Sequence, residues 1–223
     1  MIPTAIRSTA DTSATNIRCL IYGRSGAGKT CLAATAPAPL ILDAENGTLS
    51  LASVHVAAWP IASISDCAKA LAWLATDPDA RQFKTVILDS LTGLAENELV
   101  SLKAQTKDPR QAYGELADRV RLLVQKFHAL PFHTVAIAKQ GSHEDEAAKV
   151  TRFRPEAVGG KLTDALPYLF DGVFRLGIRP NKTRFLQTAA DYQYEAKYRG
   201  DGLAPEEEPN LTDLFDKLKK GAK

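Results

Sequence analysis

Short apolar runs alternate with amphipathic stretches along the first two thirds of the chain. Residues 17–22, 39–43, 54–58, 84–89 and 133–138 are rich in Ile, Leu, Val and Ala. Little polar interruption is the mark of strands buried on both faces. Between and after these runs lie segments of helical pattern, at 31–34, about 63–74, 91–104 and 110–130. In the longest, Leu116, Val120, Leu123, Val124 and Phe127 recur at three- and four-residue spacing and define one face. Ser63 and Asp66 form a capping pattern at the head of the second. Strands alternating with helices predict an α/β fold, a mostly parallel sheet flanked by helices.

The pattern changes after Gln140. Residues 141–158 are polar, charged and weakly periodic, and read as a long loop, either functional or disordered. A helix is expected over 160–170. Residues 173–178, 184–188 and 194–199 alternate like strands of a small antiparallel C-terminal extension. Glu206, Glu207 and Glu208 read as a solvated linker, and Asn210 or Thr212 as the cap of a last short helix through Leu218. The expected division is a flexible N-terminal arm (1–16), a core domain (17–200), and an acidic linker with a short helix (201–223).

Composition narrows this picture modestly. At 223 residues, one large α/β domain is the default. No apolar run is long enough to span a bilayer, and the first 16 residues lack the apolar stretch of a secretory signal. The expectation is a cytoplasmic protein with no membrane partner. Cys19, Cys31 and Cys67 show no metal-ligand spacing and read as reduced core thiols. A net charge of +2 argues neither for nor against nucleic acid, so any such surface must be a local patch.

The sharpest chemical signal is Gly23-Arg24-Ser25-Gly26-Ala27-Gly28-Lys29-Thr30, which fits G-x-x-x-x-G-K-[ST] without a mismatch. It lies between a predicted strand and a predicted helix, the context the motif requires. Glycines let backbone N–H groups turn inward on phosphate oxygens. Lys29 suits the β- and γ-phosphates of a nucleotide, and Thr30 suits Mg²⁺. A second requirement of such a site is a carboxylate at the end of a hydrophobic strand. Asp89 supplies it, with the alternative that Asp89 or Ser90 only caps the following helix. Hydrolysis needs a group that orients and deprotonates water. Glu45 is the candidate, with Asp43 as its neighbour or a structural cap; the alternative is two surface acids in a turn before Gly47. Gln140, at the end of the 133–138 strand, is placed either to contact a γ-phosphate or to start a surface loop.

Taken together, these residues resemble the RecA-like core ATPases. The glycine loop, the Asp43-Ala44-Glu45 segment, the Asp89 strand, Lys139-Gln140 and Gly159-Gly160 occur in RecA order over about residues 17–178. The small size looks most like the RecA-like branch of the phage Sak single-strand annealing proteins, and the 194–199 stretch is similar to what that group carries.

The resemblance implies ATP and Mg²⁺ as cofactors, Glu45 activating water, and Gln140 sensing the γ-phosphate. It makes 141–158 a single-stranded-DNA loop, with Lys149, Arg152, Phe153, Arg154 and, just beyond, Lys161 as contacts. Glu144, Asp145 and Glu146 in the same segment fit a solvated charged loop as well. It also implies a ring or filament of identical subunits, in which a neighbour's cation completes the site. Lys197 and Arg199 are the candidates, Arg184 an outside choice, against plain surface cations on an edge strand. A host single-strand-binding protein is a further expected partner. Two other classes stay open: a kinase of a small molecule or protein, with Arg152 and Arg154 in a lid, and a nucleotide-bound adaptor resembling helicase loaders.

Overall fold

The computed structural model describes residues 16–221. The arm expected over 1–16 lies outside the described residues, Asn16 excepted. The chain runs β1 (Arg18–Gly23), α1 (Lys29–Ala33), β2 (Pro39–Asp43), β3 (Ala57–Pro60), α2 (Ile64–Thr76), β4 (Thr85–Asp89), α3 (Leu91–Gln105) and α4 (Pro109–His128). It continues β5 (His133–Asp145), β6 (Val150–Glu156), α5 (Gly160–Ala165), β7 (Gly172–Ile178), β8 (Arg184–Gln187), β9 (Lys197–Tyr198), β10 (Glu206–Glu207) and α6 (Leu211–Gly221).

One sheet joins the strands in the order β10-β8-β7-β1-β5-β4-β2-β3, with β6 on β5 and β9 on β7. From β7 to β3 every pairing is parallel; β6, β8, β9 and β10 pair antiparallel. The fold is thus α/β with a mostly parallel sheet flanked by helices. Side-chain alternation divides the core into two layers. Leu20, Tyr22, Leu42, Val86, Leu88 and Ala136 face α2, α3 and α4. Cys19, Ile21, Ile41, Ile87, Val135 and Ile137 face α1 and α6. The strand after the glycine-loop strand in space is β5, so β5 stands between β1 and the carboxylate strand β4.

Several expectations are corrected. Residues 141–158 are not a loop for most of their length: β5 runs on to Asp145 and pairs in register with β6 as a hairpin, Gly141 opposite Arg154 and Asp145 opposite Val150. The hairpin leaves the core, so neither face needs a continuous apolar row, and the pattern that announces a strand is missing. The third strand is Ala57–Pro60 in place of 54–58; it is an edge strand, where exposed residues and a terminal proline are tolerated. The helix expected over 160–170 ends at Ala165 and continues as a 3-10 turn over Leu166–Leu169, with Pro167 in its first turn. Of 194–199 only Lys197–Tyr198 are strand.

The acidic segment is not a free linker. Glu206–Glu207 pair with β8, and Glu207 is only 9% exposed, bound by Lys217 and by the Ala204 N–H. Asn210 caps α6, accepting from Thr212 N at 2.9 Å, and Leu211, Leu214, Phe215 and Leu218 are buried in the α1 layer. Residues 201–220 therefore share the core of the domain they follow. Cys19 and Cys67 are buried, but Cys31 is exposed.

Candidate nucleotide site

The site gathers at the carboxyl ends of β1, β2, β4 and β5. A pocket of about 580 Å³ is lined there by loop residues from Gly23 to Thr30, with Glu45, Asp89, Ser90, Lys139, Gln140, Glu156 and Arg184. Gly28 precedes α1 at φ 95°, a left-handed conformation that glycine adopts without strain. Ala27 is buried and pins the loop to the α1 layer, while Arg24, Ser25 and Gly26 are exposed.

Lys29 Nζ donates to the loop carbonyls of Gly23 (2.9 Å) and Arg24 (3.0 Å). Burial holds its pKa below the usual lysine range, partly opposed by Asp89 and Glu45. Thr30 Oγ1 donates to Asp89 Oδ2 at 2.6 Å. Asp89 is 8% exposed, and burial raises its pKa while the Thr30 hydrogen bond lowers it. The Thr30–Asp89 pair is thus a hydroxyl and a carboxylate in contact, a donor set that suits a hard cation shared with phosphate oxygens.

Glu45 is positioned from both sides. Asp43 Oδ1 accepts from Glu45 N (3.1 Å) and Gly47 N (3.2 Å), so Asp43 is the structural cap of this turn. Ser90 Oγ donates to Glu45 Oε1 at 2.5 Å and accepts from Gly93 N at 2.9 Å, so Ser90, rather than Asp89, caps α3. Gly93 makes room for this carboxylate: a Cβ there would stand 2.5 Å from Glu45 Oε1.

Gln140 lines the pocket, and its Oε1 is buried without a partner among the described residues. Beside it Thr92, on α3, accepts from Lys139 N (3.0 Å) and donates to Glu156 O (2.6 Å), fastening the base of the hairpin. Lys139 pairs with Glu96 at 2.6 Å.

The remaining candidates are dispersed. Arg152 pairs with Asp145 (2.8 Å) and Arg154 with Asp164 (2.7 Å). Phe153 stacks on Tyr194 with centroids 4.9 Å apart, and Arg24 and Arg175 flank the two rings. Lys149 is exposed in the hairpin turn. Lys161 stands apart from these, in a groove of about 670 Å³ with Arg110, Tyr113 and Arg121. Lys197 lies over the Tyr168 ring, and Arg199 pairs with Asp171 at 3.1 Å. Arg184, weighed from sequence only as a neighbour's cation, lies in this chain's own pocket, donating to Ala27 O at 2.8 Å. Glu156 was missed because its strand reads as loop; Gly93 carries no sequence signal beyond its position three residues after Ser90.

The AAA domain family model matches residues 15–200, nearly the whole described chain. The chain belongs to this family. No protein of curated function matches its sequence. Among solved structures it is similar to a KaiC-like protein from the hyperthermophilic archaeon Pyrococcus horikoshii OT3, with a TM-score of 0.42 and 13% identity over 81% of this chain and 80% of that one. It is also similar to an ATPase from the type III secretion system of pathogenic bacteria, with a TM-score of 0.49 and 16% identity. That match covers 72% of this chain and 51% of the other, so this chain spans about half its length. Membership of this family makes the chain a nucleotide-binding P-loop ATPase-type domain. No helix among the described residues is long and apolar enough to cross a membrane.

Proposed function

We propose that this AAA domain binds and hydrolyses ATP with Mg²⁺, binds single-stranded DNA, and promotes annealing or pairing of strands, as the resemblance to the phage Sak group implies. The observation that carries the reading is the path of β5. Its buried half ends at Ala138, Gln140 follows two residues on in the nucleotide pocket, and the same strand continues into the hairpin. A change at the phosphate end therefore reaches an outer surface without crossing a loop.

In this reading Glu45 orients and deprotonates the attacking water, fixed by Ser90. Lys29 exchanges its loop carbonyls for phosphate oxygens. Thr30 and Asp89 would hold Mg²⁺, which when bound neutralises developing phosphate charge. Gln140 offers the N–H donors of its Nε2 to the γ-phosphate. The groove of Arg110, Tyr113, Arg121 and Lys161 supports the DNA reading, since it sets cations around an aromatic face. With Arg152, Arg154 and Arg121 held in ion pairs, Arg110 and Lys161 of this groove, with Lys149, are the better contacts for a strand. The same ion pairs count against an arginine lid, and so against a kinase. Lys197 or Arg199 completing a neighbour's site in a homo-oligomer belongs to the proposal, as does a single-strand-binding partner.

The test measures ATP turnover with and without single-stranded DNA, beside the mass of the assembly and DNA anisotropy at several salt concentrations. Stimulated turnover and salt-sensitive binding are expected. Turnover indifferent to DNA, with no DNA bound, would overturn the DNA reading. Glu45→Gln is expected to retain ATP and lose turnover.

A further inference from the structure

Two cations outside the glycine-loop motif line the nucleotide pocket, Lys139 and Arg184; Lys139 is paired with Glu96, which leaves the Arg184 guanidinium as the one without a carboxylate partner among the described residues. The β7–β8 turn aims it. Asn181 Oδ1 accepts from Thr183 N (3.1 Å) and Thr183 Oγ1 (2.7 Å), and Arg184 then pairs across from Ile178. Two residues on, Leu186 is buried in the same layer as Ala27 and Leu32. Strand alternation puts Arg184 on that face too, over the start of α1. Its Nε donates to Ala27 O, and a Cβ on Gly28 would lie 2.9 Å from Nε and 3.5 Å from Cζ. The guanidinium therefore rests on the backbone of the loop itself.

Six other arginines (Arg119, Arg121, Arg152, Arg154, Arg179 and Arg199) have carboxylate partners. Arg184 pairs with no carboxylate among the described residues. One of its five N–H donors is used, and the residue lines a pocket it shares with Lys29. Two cations beside a row of inward amides repel until an anion lies between them. Glu45 packs on the α3 side, against Gly93 and Ser90, whereas Arg184 lies on the α1 side. That separates Arg184 from the water-activating end.

We propose that Arg184 is a phosphate-binding residue acting within its own chain, gripping the phosphate nearest the start of α1 in nucleoside di- and triphosphates alike. The inference rests on the nucleotide-binding reading of the pocket. Because Arg184 is exposed, the low end of a charge-assisted hydrogen bond applies, about a tenfold change in Kd.

The experiment measures Kd for ADP and ATP by displacement of a fluorescent ADP, using the full chain and Arg184→Ala, Arg184→Gln and Arg184→Lys, with Lys29→Ala as the control. Arg184→Gln keeps a donor for Ala27 O without the charge; Arg184→Lys keeps the charge. Expected is a weakening of about tenfold for both nucleotides in the Ala and Gln variants, a shallower salt dependence, and recovery in the Lys variant. Arg184→Gln binding as the wild type would reduce Arg184 to a brace for Ala27. Turnover restored by mixing Arg184→Ala with Glu45→Gln subunits would make it a neighbour's cation instead; either result overturns the proposal. Wild-type protein binding ADP no better than Lys29→Ala would sink the nucleotide reading with it. If Arg184→Ala does not fold, the Gln and Lys pair decides.

Discussion

Gly93→Ala tests whether Glu45 works where the structure holds it. The new Cβ would stand 2.5 Å from Glu45 Oε1, 2.7 Å from its Cγ and 3.0 Å from its Cδ. Ordinary contact begins at 3.4 Å, so the carboxylate must withdraw by about 0.9 Å and leave Ser90 Oγ. Glu45 is exposed, so its retreat toward solvent costs the fold little. Alanine also suits a helix better than glycine by up to about 1 kcal/mol. Stability should then stay within about 1 kcal/mol of wild type by urea unfolding. A catalytic group misplaced by about 1 Å costs on the order of 100-fold in rate. Steady-state ATP turnover should fall by about that factor, while Kd for ADP stays within about twofold. Wild-type turnover in Gly93→Ala, with Glu45→Gln inactive, would show that Glu45 acts from another position. Wild-type turnover in both would remove Glu45 from the chemistry.

Three further outcomes follow from the packing and the buried polar groups. Phe215→Ala should cost about 3–5 kcal/mol in urea unfolding, because Phe215 is fully buried between α6 and the sheet; a loss under about 1 kcal/mol would mean that α6 is not part of the core. Thr92→Val strands the Lys139 N–H and the Glu156 carbonyl and should destabilise by about 1–3 kcal/mol, with faster hydrogen exchange at the base of the hairpin as the check. His133 accepts from Ile17 N through Nδ1, and burial, with Lys219 nearby, pushes its pKa down to about 4; burial and Arg18 do the same to His128. The unfolded chain takes up these protons near pH 6.5 and the native one near 4, so stability falls as pH drops through that window, by about 1 kcal/mol per pH unit for each residue. Imidazole NMR shifts of both residues should stay flat from pH 7 to 5, and titration near 6.5 would refute this.

Much of the architecture was legible because buried parallel strands carry their own signature. Cys19 to Tyr22, Leu40 to Leu42 and Val86 to Leu88 are apolar on both faces, and no other element of this length tolerates that. Glu45 follows β2, Asp89 ends β4 and Gln140 lies just past the buried half of β5, so finding the buried strands located the site. What was not legible lacks a burial signal. The hairpin of residues 139–156 is held by backbone pairing and by the Phe153–Tyr194 stack, whose partners are 41 residues apart in sequence. Glu206 and Glu207 look solvated until Lys217, on α6, closes on Glu207. Arg184 reads as a surface cation because its acceptor, the Ala27 carbonyl, is invisible to any side-chain pattern.

β5 is 13 residues without a break, which makes a rod about 40 Å long. Its first six residues are buried in the sheet, and from Lys139 on it pairs with β6, which Gln193 and Glu195 bond in turn through the Phe153 backbone. Mechanically this is a beam clamped in the sheet and propped part-way along by residues 193–195, with Gln140 between clamp and prop. A tilt there loads the prop as well as the tip, so the 192–195 segment shares any shift that begins beside the nucleotide pocket. Lys149, in the turn at that tip, stands at the far end of the beam, beside the point where the Tyr192 hydroxyl meets the Ala148 carbonyl.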